Sequence, residues 1–100
     1  MPVTSMQSIS FSPDGRFLAS CGKEGVGKRF GKEMIIVWDI SRVQKGEKAE
    51  IHAKTVCEFN ILELKFSPID NFRMISCGQQ NIRFWRIKDR NIRGSAVVLN

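Results

Sequence analysis

The stretch ISFSPDGRFLASCG, residues 9–22, decides the fold because the chain contains it twice. The second copy is LKFSPIDNFRMISCG, residues 64–78. A further pair of matching segments follows the two copies, IIVWDI at residues 35–40 and IRFWRI at residues 82–87. Self-similarity of this kind is the sequence signature of a repeat architecture, so the chain is predicted to be two related units in tandem.

The two copies differ in length at one place. Phe66 lies 55 residues after Phe11, whereas Trp85 lies only 47 residues after Trp38. The first copy therefore carries additional residues between its cysteine and its tryptophan. These residues fall within the segment 23–33, which we interpret as an insertion in one repeat.

Each copy predicts four short strands. Apolar and polar residues alternate in the first of them, as in a half-buried strand. The SPDG segment then supplies a turn, because Pro13 fixes its own backbone angle and Gly15 can adopt a positive one. No helix is predicted, and the fold class is all-β with two four-stranded antiparallel units. The expected strands are residues 6–12, 16–21, 35–40 and 53–59, then 61–67, 72–77, 82–87 and 96–99.

Composition narrows the functional classes. The chain has 100 residues, of which 42% are hydrophobic and 26% charged, as in a small folded domain. No apolar run approaches the roughly 20 residues that span a bilayer, and the N-terminal residues do not resemble a secretory signal. Three scattered cysteines, Cys21, Cys57 and Cys77, favour a reducing compartment. The net charge of +6 is compatible with an acidic partner.

The combination of FSPDG at residues 11–15 with Trp38-Asp39, followed by a second copy, resembles a blade of a WD-repeat β-propeller. Blades of that family pack radially, about 4–8 to a ring. The resemblance implies a partial propeller of two four-stranded blades, with the remaining blades of a larger propeller as partners. It implies a first blade at residues 1–59, with the basic insertion 23–33, and a second, divergent blade at residues 60–100. The signature residues are Phe11, Pro13, Asp14, Gly15, Trp38, Asp39, Phe66, Pro68 and Trp85.

Several positions depart from the family pattern. Neither copy has the Gly-His pair that often precedes the first strand, and His52 lies in or beside the fourth strand instead. Residues 79–81, Gln-Gln-Asn, replace an acidic turn, and Arg86 follows Trp85 where the family has Asp. The hydrogen-bond set that links Trp, Ser, Asp and His in regular repeats is therefore expected to be incomplete. Such blades are similar to those of large centriolar and ciliary microtubule-associated WD-repeat proteins.

Residues 22–28 imitate a phosphate-binding loop, since they match G-x-x-x-x-G-K. That motif needs a hydroxyl residue after the lysine and a helix that begins there. Here Arg29 replaces the hydroxyl residue, and a strand follows at residues 35–40. We predict that the loop binds no nucleotide.

Two clusters of basic residues are candidates for binding an acidic partner. The alternative is that they are solvated charges that only keep the blades soluble. Phe30, within the first cluster, is a candidate anchor because an exposed aromatic ring favours protein contacts. The candidate partner-binding residues are Lys23, Lys28, Arg29, Phe30, Lys32, Arg83, Arg86, Lys88, Arg90 and Arg93.

Catalysis is not predicted. His52 has no serine or cysteine partner in a recognisable motif, and no spacing typical of metal ligands occurs, so we expect no enzyme activity, cofactor or metal.

The resemblance implies a non-catalytic scaffold that binds other proteins, with tubulin or microtubules as the expected partner. It implies a cytoplasmic protein at the cytoskeleton, the centriole or the cilium, without a membrane partner. The alternative function is a generic cytosolic WD-repeat adaptor in ubiquitin ligation, RNA processing or trafficking. Nucleic-acid binding is disfavoured because no aromatic stacking platform is evident.

Overall fold

The computed structural model of the chain describes residues 3–24, 33–57, 61–78 and 81–97. The described residues form eight strands in two four-stranded antiparallel sheets. Within each sheet, strands that are consecutive in the sequence lie next to each other. This architecture confirms the predicted fold class. A short 3-10 turn, Val43–Lys45, lies between the third and fourth strands. The first sheet contains β1 (Val3–Phe11), β2 (Phe17–Glu24), β3 (Glu33–Asp39) and β4 (Glu50–Cys57), and the second contains β5 (Glu63–Phe66), β6 (Arg73–Gly78), β7 (Asn81–Lys88) and β8 (Asn91–Ala96).

The turn between β1 and β2 forms as the SPDG segment predicts. Gly15 has a φ of 76°, in the left-handed region that glycine adopts at little cost. Asp14 closes the turn through its side chain, since its Oδ1 accepts the Arg16 N–H at 2.9 Å and the Ser12 hydroxyl at 2.7 Å. These two hydrogen bonds hold the pKa of Asp14 below its ordinary value, with the Arg16 backbone N–H as the main cause.

The prediction of the last strand was wrong. It was expected at residues 96–99, after a polar loop, but β8 runs over Asn91–Ala96 and follows a two-residue turn at Asp89 and Arg90. Asp89 has a φ of 55°, which its short polar side chain tolerates and which tight hairpins require. In the first sheet β4 likewise begins earlier than the predicted 53, at Glu50.

The two ends of the predicted exposed excursion, residues 23–33, belong to strands. Lys23 and Glu33 lie directly opposite each other in β2 and β3, so both are strand residues. Glu33, expected in an exposed loop, is buried with 2% of its surface accessible. The expectation of an exposed excursion over all of residues 23–33 is therefore corrected at its ends, because the hairpin extends further. Its central part, residues 25–32, lies outside the described residues.

The hydrophobic core lies between the two sheets. It consists of apolar side chains from facing sides of both sheets, and their removal from water drives the sheets together. The core contains Phe17, Ala19, Cys21, Ile35, Val37 and Cys57 from the first sheet, Ile61 from the connection, and Leu64, Phe66, Met74, Trp85 and Ile87 from the second.

Among the residues that the structure describes, no helix is long and apolar enough to cross a membrane.

Candidate protein-interaction surface

Each sheet has two faces, which we name after the residues they carry. The Trp face carries Trp38 in the first sheet and Trp85 in the second, and the Cys face carries Cys21 and Cys77, respectively. The Cys face of the first sheet packs on the Trp face of the second, because Cys21 and Trp85 share one core. This leaves the Cys face of the second sheet turned away from the junction, and Cys77 on it is exposed.

The tryptophans hold equivalent places in their sheets. Trp38 Nε1 donates a hydrogen bond to Ser20 Oγ at 3.1 Å, and Trp85 Nε1 donates one to Ser76 Oγ at 2.8 Å. The sequence predicts that the hydrogen-bond set of regular WD repeats is incomplete in this chain. Its Trp–Ser hydrogen bond is nevertheless present in both sheets. The repeat is therefore equivalent in hydrogen bonding as well as in sequence.

Hydroxyl groups join the inner edges of the two sheets. Ser8 Oγ accepts the Leu64 N–H at 3.1 Å and donates to the Leu64 carbonyl at 3.2 Å. Ser10 Oγ accepts the Phe66 N–H at 3.0 Å. Side chains of β1 thereby satisfy edge groups of β5 that would otherwise lack partners, which fixes the register between the sheets.

His52, on β4, contributes to the packing between the two sheets. Its Nε2–H donates to the Asp89 carbonyl at 2.7 Å, and its ring lies 4.9 Å from the ring of Phe17. Beside it the Arg90 guanidinium donates to the Ile51 carbonyl at 2.9 Å. The only histidine of the sequence is therefore part of the packing between sheets.

Comparison with known proteins agrees with this geometry. The chain is 34% identical over 97 residues to WD repeat-containing protein 90 from Xenopus tropicalis, an alignment that covers 97% of this chain. It is 32% identical over 96 residues, 94% of this chain, to centriole proteome protein 16 from Chlamydomonas reinhardtii. The two sheets are WD-repeat blades. The chain spans only about 5% of the first relative's length and 4% of the second's.

The fold also has a solved counterpart. The structure of Sqt1 from Chaetomium thermophilum superposes with a TM-score of 0.64 at 18% sequence identity, over 94% of this chain and 24% of that one. At this identity the match shows the fold alone. No protein-family model matches the chain. We refer below to the first and second sheets as the first and second blades.

The structure separates the basic residues that the sequence grouped together. In the second blade the exposed Arg86, Lys88 and Arg93 lie on the Cys face, whereas Arg83 lies half-buried on the Trp face. Arg90 is exposed but its guanidinium is used in the junction. In the first blade Lys23 is exposed on β2. The remaining candidates lie outside the described residues, namely Lys28, Arg29, Phe30 and Lys32.

Sequence reasoning missed one member of this basic surface. Arg73 lies on β6 directly opposite Arg86, which is itself opposite Arg93 on β8. The three residues are 13 and 7 positions apart in sequence, and only the strand register brings them into one row. The register places three arginines in one row on this face, and Arg73 among them already pairs with Asp70 at 3.2 Å. Guanidinium groups are suited to binding carboxylates.

A small group of titratable side chains is buried in the first blade. Burial raises the pKa of the Cys21 thiol to about 11, and the charges of Glu33 and Cys57 add to this. Burial also raises the pKa of Glu33, while Lys23 and the Ile61 backbone act against it. A thiol with a raised pKa is a poor nucleophile at neutral pH. Within the described residues no three His, Cys, Asp or Glu side chains are placed to hold a metal ion.

Asp39, the acidic residue of the Trp-Asp pair, closes a second turn. Its Oδ1 accepts the Ser41 hydroxyl at 2.6 Å and the Ser41 N–H at 3.0 Å, and these bonds hold its pKa below the ordinary value. Asp39 therefore stabilises the strand end, which is a structural role.

Proposed function

We propose that the chain is part of a non-catalytic WD-repeat scaffold that binds other proteins at the centriole or cilium, in the cytoplasm. The observation that carries this proposal is its similarity, over 94% of its length, to a protein named centriole proteome protein 16. The junction between the blades supports a scaffold, since its shared core and its hydrogen bonds hold the loops on both blades relative to each other. The proposal includes a first blade at residues 1–59 and a second at residues 60–100.

Within this proposal the partner is the acidic surface of microtubules. The support is electrostatic, because a chain with a net charge of +6 is attracted to a negatively charged lattice. Exposed charges are screened over about 10 Å at 0.1 M salt. We therefore expect binding to weaken as salt is raised.

Microtubule co-sedimentation of the chain at two salt concentrations tests this. Reversal of Lys28 and Arg29 to Glu should slow association, because charges at the rim of an interface act mainly on the encounter rate. Phe30→Ala should raise the dissociation rate if the ring is an anchor. A matched control reverses Lys45 and Lys48, two exposed lysines of the loop after β3, to Glu.

The outcomes are distinct. If both double reversals weaken binding equally, the attraction depends only on net charge. Lys28 and Arg29 then make no specific contact with the microtubule. Absence of binding by the unmodified chain at low salt would refute the microtubule partner. A parallel RNA-binding measurement distinguishes an acidic protein surface from a nucleic acid, since preference for RNA would contradict the proposal.

A further inference from the structure

The strands at the two sides of each sheet have one edge that pairs with no other strand of that sheet. These edge strands are β1 and β4 in the first blade and β5 and β8 in the second. An unpaired edge carries a row of backbone N–H and C=O groups that can pair with another chain, and natural proteins usually protect it. Among the residues that the structure describes, the four edges differ in how they are protected.

The inner edges of both blades are bonded or irregular. The Ser8 and Ser10 hydroxyls of β1 bond backbone groups along the edge of β5. β1 itself has two register shifts against β2, between Val3 and Ser5 and between Met6 and Ser8. Irregular pairing twists an edge and makes it a poor template for a further strand.

The outer edge of the first blade is also protected. Val37 of β3 pairs with Ala53, but the next residue of β3 pairs with Ile51, so His52 is an additional residue that forms a bulge in β4. The Arg90 guanidinium donates to the Ile51 carbonyl beside this bulge. β4 therefore carries two of the features by which proteins block an edge.

The outer edge of the second blade has neither feature. The register of β8 with β7 is continuous over its whole length, Asn91–Ala96. Within the described part of the chain, no strand pairs with the other edge of β8 and no side chain bonds to it. β8 is thus a regular strand with an open edge.

The direction of the backbone groups of β8 follows from one hydrogen bond. The Val97 N–H donates to the Ile82 carbonyl at 2.9 Å, so these two residues form a hydrogen-bonded pair. Such pairs alternate along an antiparallel ladder with pairs that make no hydrogen bond to each other. Ile92, Gly94 and Ala96 each precede Val97 by an odd number of positions. Their N–H and C=O groups therefore point away from β7, towards the open edge.

Small residues leave this edge accessible. Gly94 has no side chain and Ala96 has only a methyl group, and both residues are exposed. The indole ring of Trp85 lies against Gly94 from the neighbouring strand. A strand added along β8 would place its residue opposite Gly94 beside the edge of this ring. An apolar side chain at that place would extend the cross-strand packing.

The charge around β8 favours an acidic strand. β7, β8 and the turn between them contain five basic residues and one acidic residue. Arg93, next to Gly94, is exposed, and among the described residues no carboxylate lies within ion-pair distance of it. A residue of an added strand opposite Arg93 would be its cross-strand neighbour, where unlike charges stabilise a sheet.

This edge is distinct from the faces through which blades pack. Propeller blades are arranged radially around a channel, so neighbouring blades cover the two faces of a sheet. The edge of the outermost strand points away from the channel instead. The open edge of β8 therefore stays accessible when both faces of the second blade are covered.

We propose that the outer edge of β8 is a site of β-strand addition, which takes an extended segment of a partner protein in which apolar and acidic residues alternate. Backbone hydrogen bonds to Ile92, Gly94 and Ala96 would supply the affinity, and carboxylates opposite Arg93 the selectivity, as in other cases of strand addition. In this arrangement the apolar residues of the segment lie opposite the residues that face outward. The inference rests on the scaffold role proposed above but not on microtubules.

A synthetic peptide of about eight residues, an ordinary strand length, in which Val and Glu alternate is the probe. Calorimetric titration of the chain with this peptide measures binding, and hydrogen exchange followed by NMR locates it. In the free chain the amides of Arg93 and Ser95, which face β7, should exchange slowly, whereas those of Ile92, Gly94 and Ala96 should exchange fast. The peptide should slow the exchange of these last three. Binding that leaves them unprotected would overturn the proposal.

Two N-methylated peptides provide a matched control that leaves the protein unchanged. Methylation of the valine nitrogens removes the donors that face β8, whereas methylation of the glutamate nitrogens removes donors on the far edge of the peptide. We expect the first to weaken binding about ten-fold or more and the second by less than about two-fold. Equal weakening would contradict pairing through one edge. An alternating Val and Lys peptide should bind far more weakly, and equal affinity for it would refute the selection by charge.

A pair of protein variants tests the same edge from the other side. Ala96→Pro removes one outward N–H and keeps the hydrogen bonds to β7, which is the position that proline tolerates in an edge strand. Ala96→Val keeps this N–H and is the control. The proline variant should bind the peptide about five-fold more weakly and the valine variant within about two-fold. Thermal melts show whether both variants fold, and the N-methylated peptides decide the question if the proline variant does not.

A second copy of the chain is the competing occupant of this edge. Pairing of two β8 strands would bring two basic hairpins together, so we expect no such dimer. Sedimentation velocity of the chain without peptide tests this. A dimer that Ala96→Pro abolishes and Ala96→Val retains would assign the edge to self-association and overturn the proposal.

Because tubulin is absent from these experiments, their failure leaves the microtubule proposal standing. Failure of the microtubule assay likewise leaves strand addition on β8 standing.

Discussion

Trp85 Nε1 donates a 2.8 Å hydrogen bond to Ser76 Oγ across β6 and β7, and both residues are buried. Replacing Ser76 with Ala would leave the indole N–H without a partner in a site that water does not reach. The free energy of unfolding should fall by about 1–3 kcal/mol, the cost of an unsatisfied buried donor. Urea unfolding followed by tryptophan fluorescence measures this change.

The first blade provides the matched control. Ser20→Ala removes the same bond, but Trp38 is only half-buried, so water can replace the hydroxyl. We expect a smaller loss of about 0.5–1 kcal/mol. Equal losses for the two serines would contradict the difference in burial between the blades.

Position 94 needs glycine because the Trp85 ring leaves no room for a side chain there. It lies directly opposite Trp85, and a methyl group at its Cβ position would come within 2.6 Å of the indole ring. Gly94→Ala should therefore force Trp85 aside and destabilise the chain by about 1–3 kcal/mol, as overpacking does. Ser95→Ala, at the next and exposed position, is the control and should change stability by less than about 0.5 kcal/mol. A neutral Gly94→Ala would show that β8 can move away from the ring.

The equivalent phenylalanines Phe66 and Phe11 should differ in energetic importance. Phe66 is 7% exposed in the junction, whereas Phe11 is 59% exposed. Phe66→Ala should cost about 3–5 kcal/mol and Phe11→Ala less than about 0.5 kcal/mol. Chemical unfolding of the two variants tests this. Similar costs would mean that the Trp face of the first blade is covered in solution.

The fold could be read from the sequence because its signals are local and repeated. Pro13 and Gly15 determine a turn whatever surrounds them, and the repeated segments around Trp38 and Trp85 show which strands are equivalent. The position of β8 could not be read in this way. It depends on the left-handed backbone of Asp89, which aspartate tolerates but does not require.

The candidate surface was only partly predictable, because it depends on strand register. Arg86 and Arg93 were recognised as basic residues, but Arg73 joins them only through cross-strand pairing. Arg90, which seemed equivalent to them, is used in the junction. The roles of Lys28 and Phe30 remain predictions, since both lie outside the described residues.

Glu33 provides the last prediction, which concerns pH. Its carboxylate is buried, and neither oxygen makes a well-formed hydrogen bond with the residues that the structure describes, although the nearby Ile61 backbone acts to lower its pKa. Burial raises its pKa above the value of 4.5 for a free glutamate, so folding disfavours the ionised form. The unfolded chain therefore releases this proton at a lower pH than the folded chain does. The contribution of Glu33 to stability falls as pH rises from the unfolded pKa to the folded pKa, and it stays low above that.

Glu33→Gln removes this titration while keeping the shape of the side chain. We expect the variant to have the higher melting temperature at pH 7 and to lose this advantage as pH is lowered towards 4, where Glu33 is protonated in both states. Thermal melts of both proteins over that range give the comparison. Glu63→Gln, at an exposed glutamate that pairs with Lys65 at the surface, should show no such trend. A lower melting temperature for Glu33→Gln at pH 7 would mean that the attraction of Lys23 outweighs burial and that Glu33 is ionised in the folded chain.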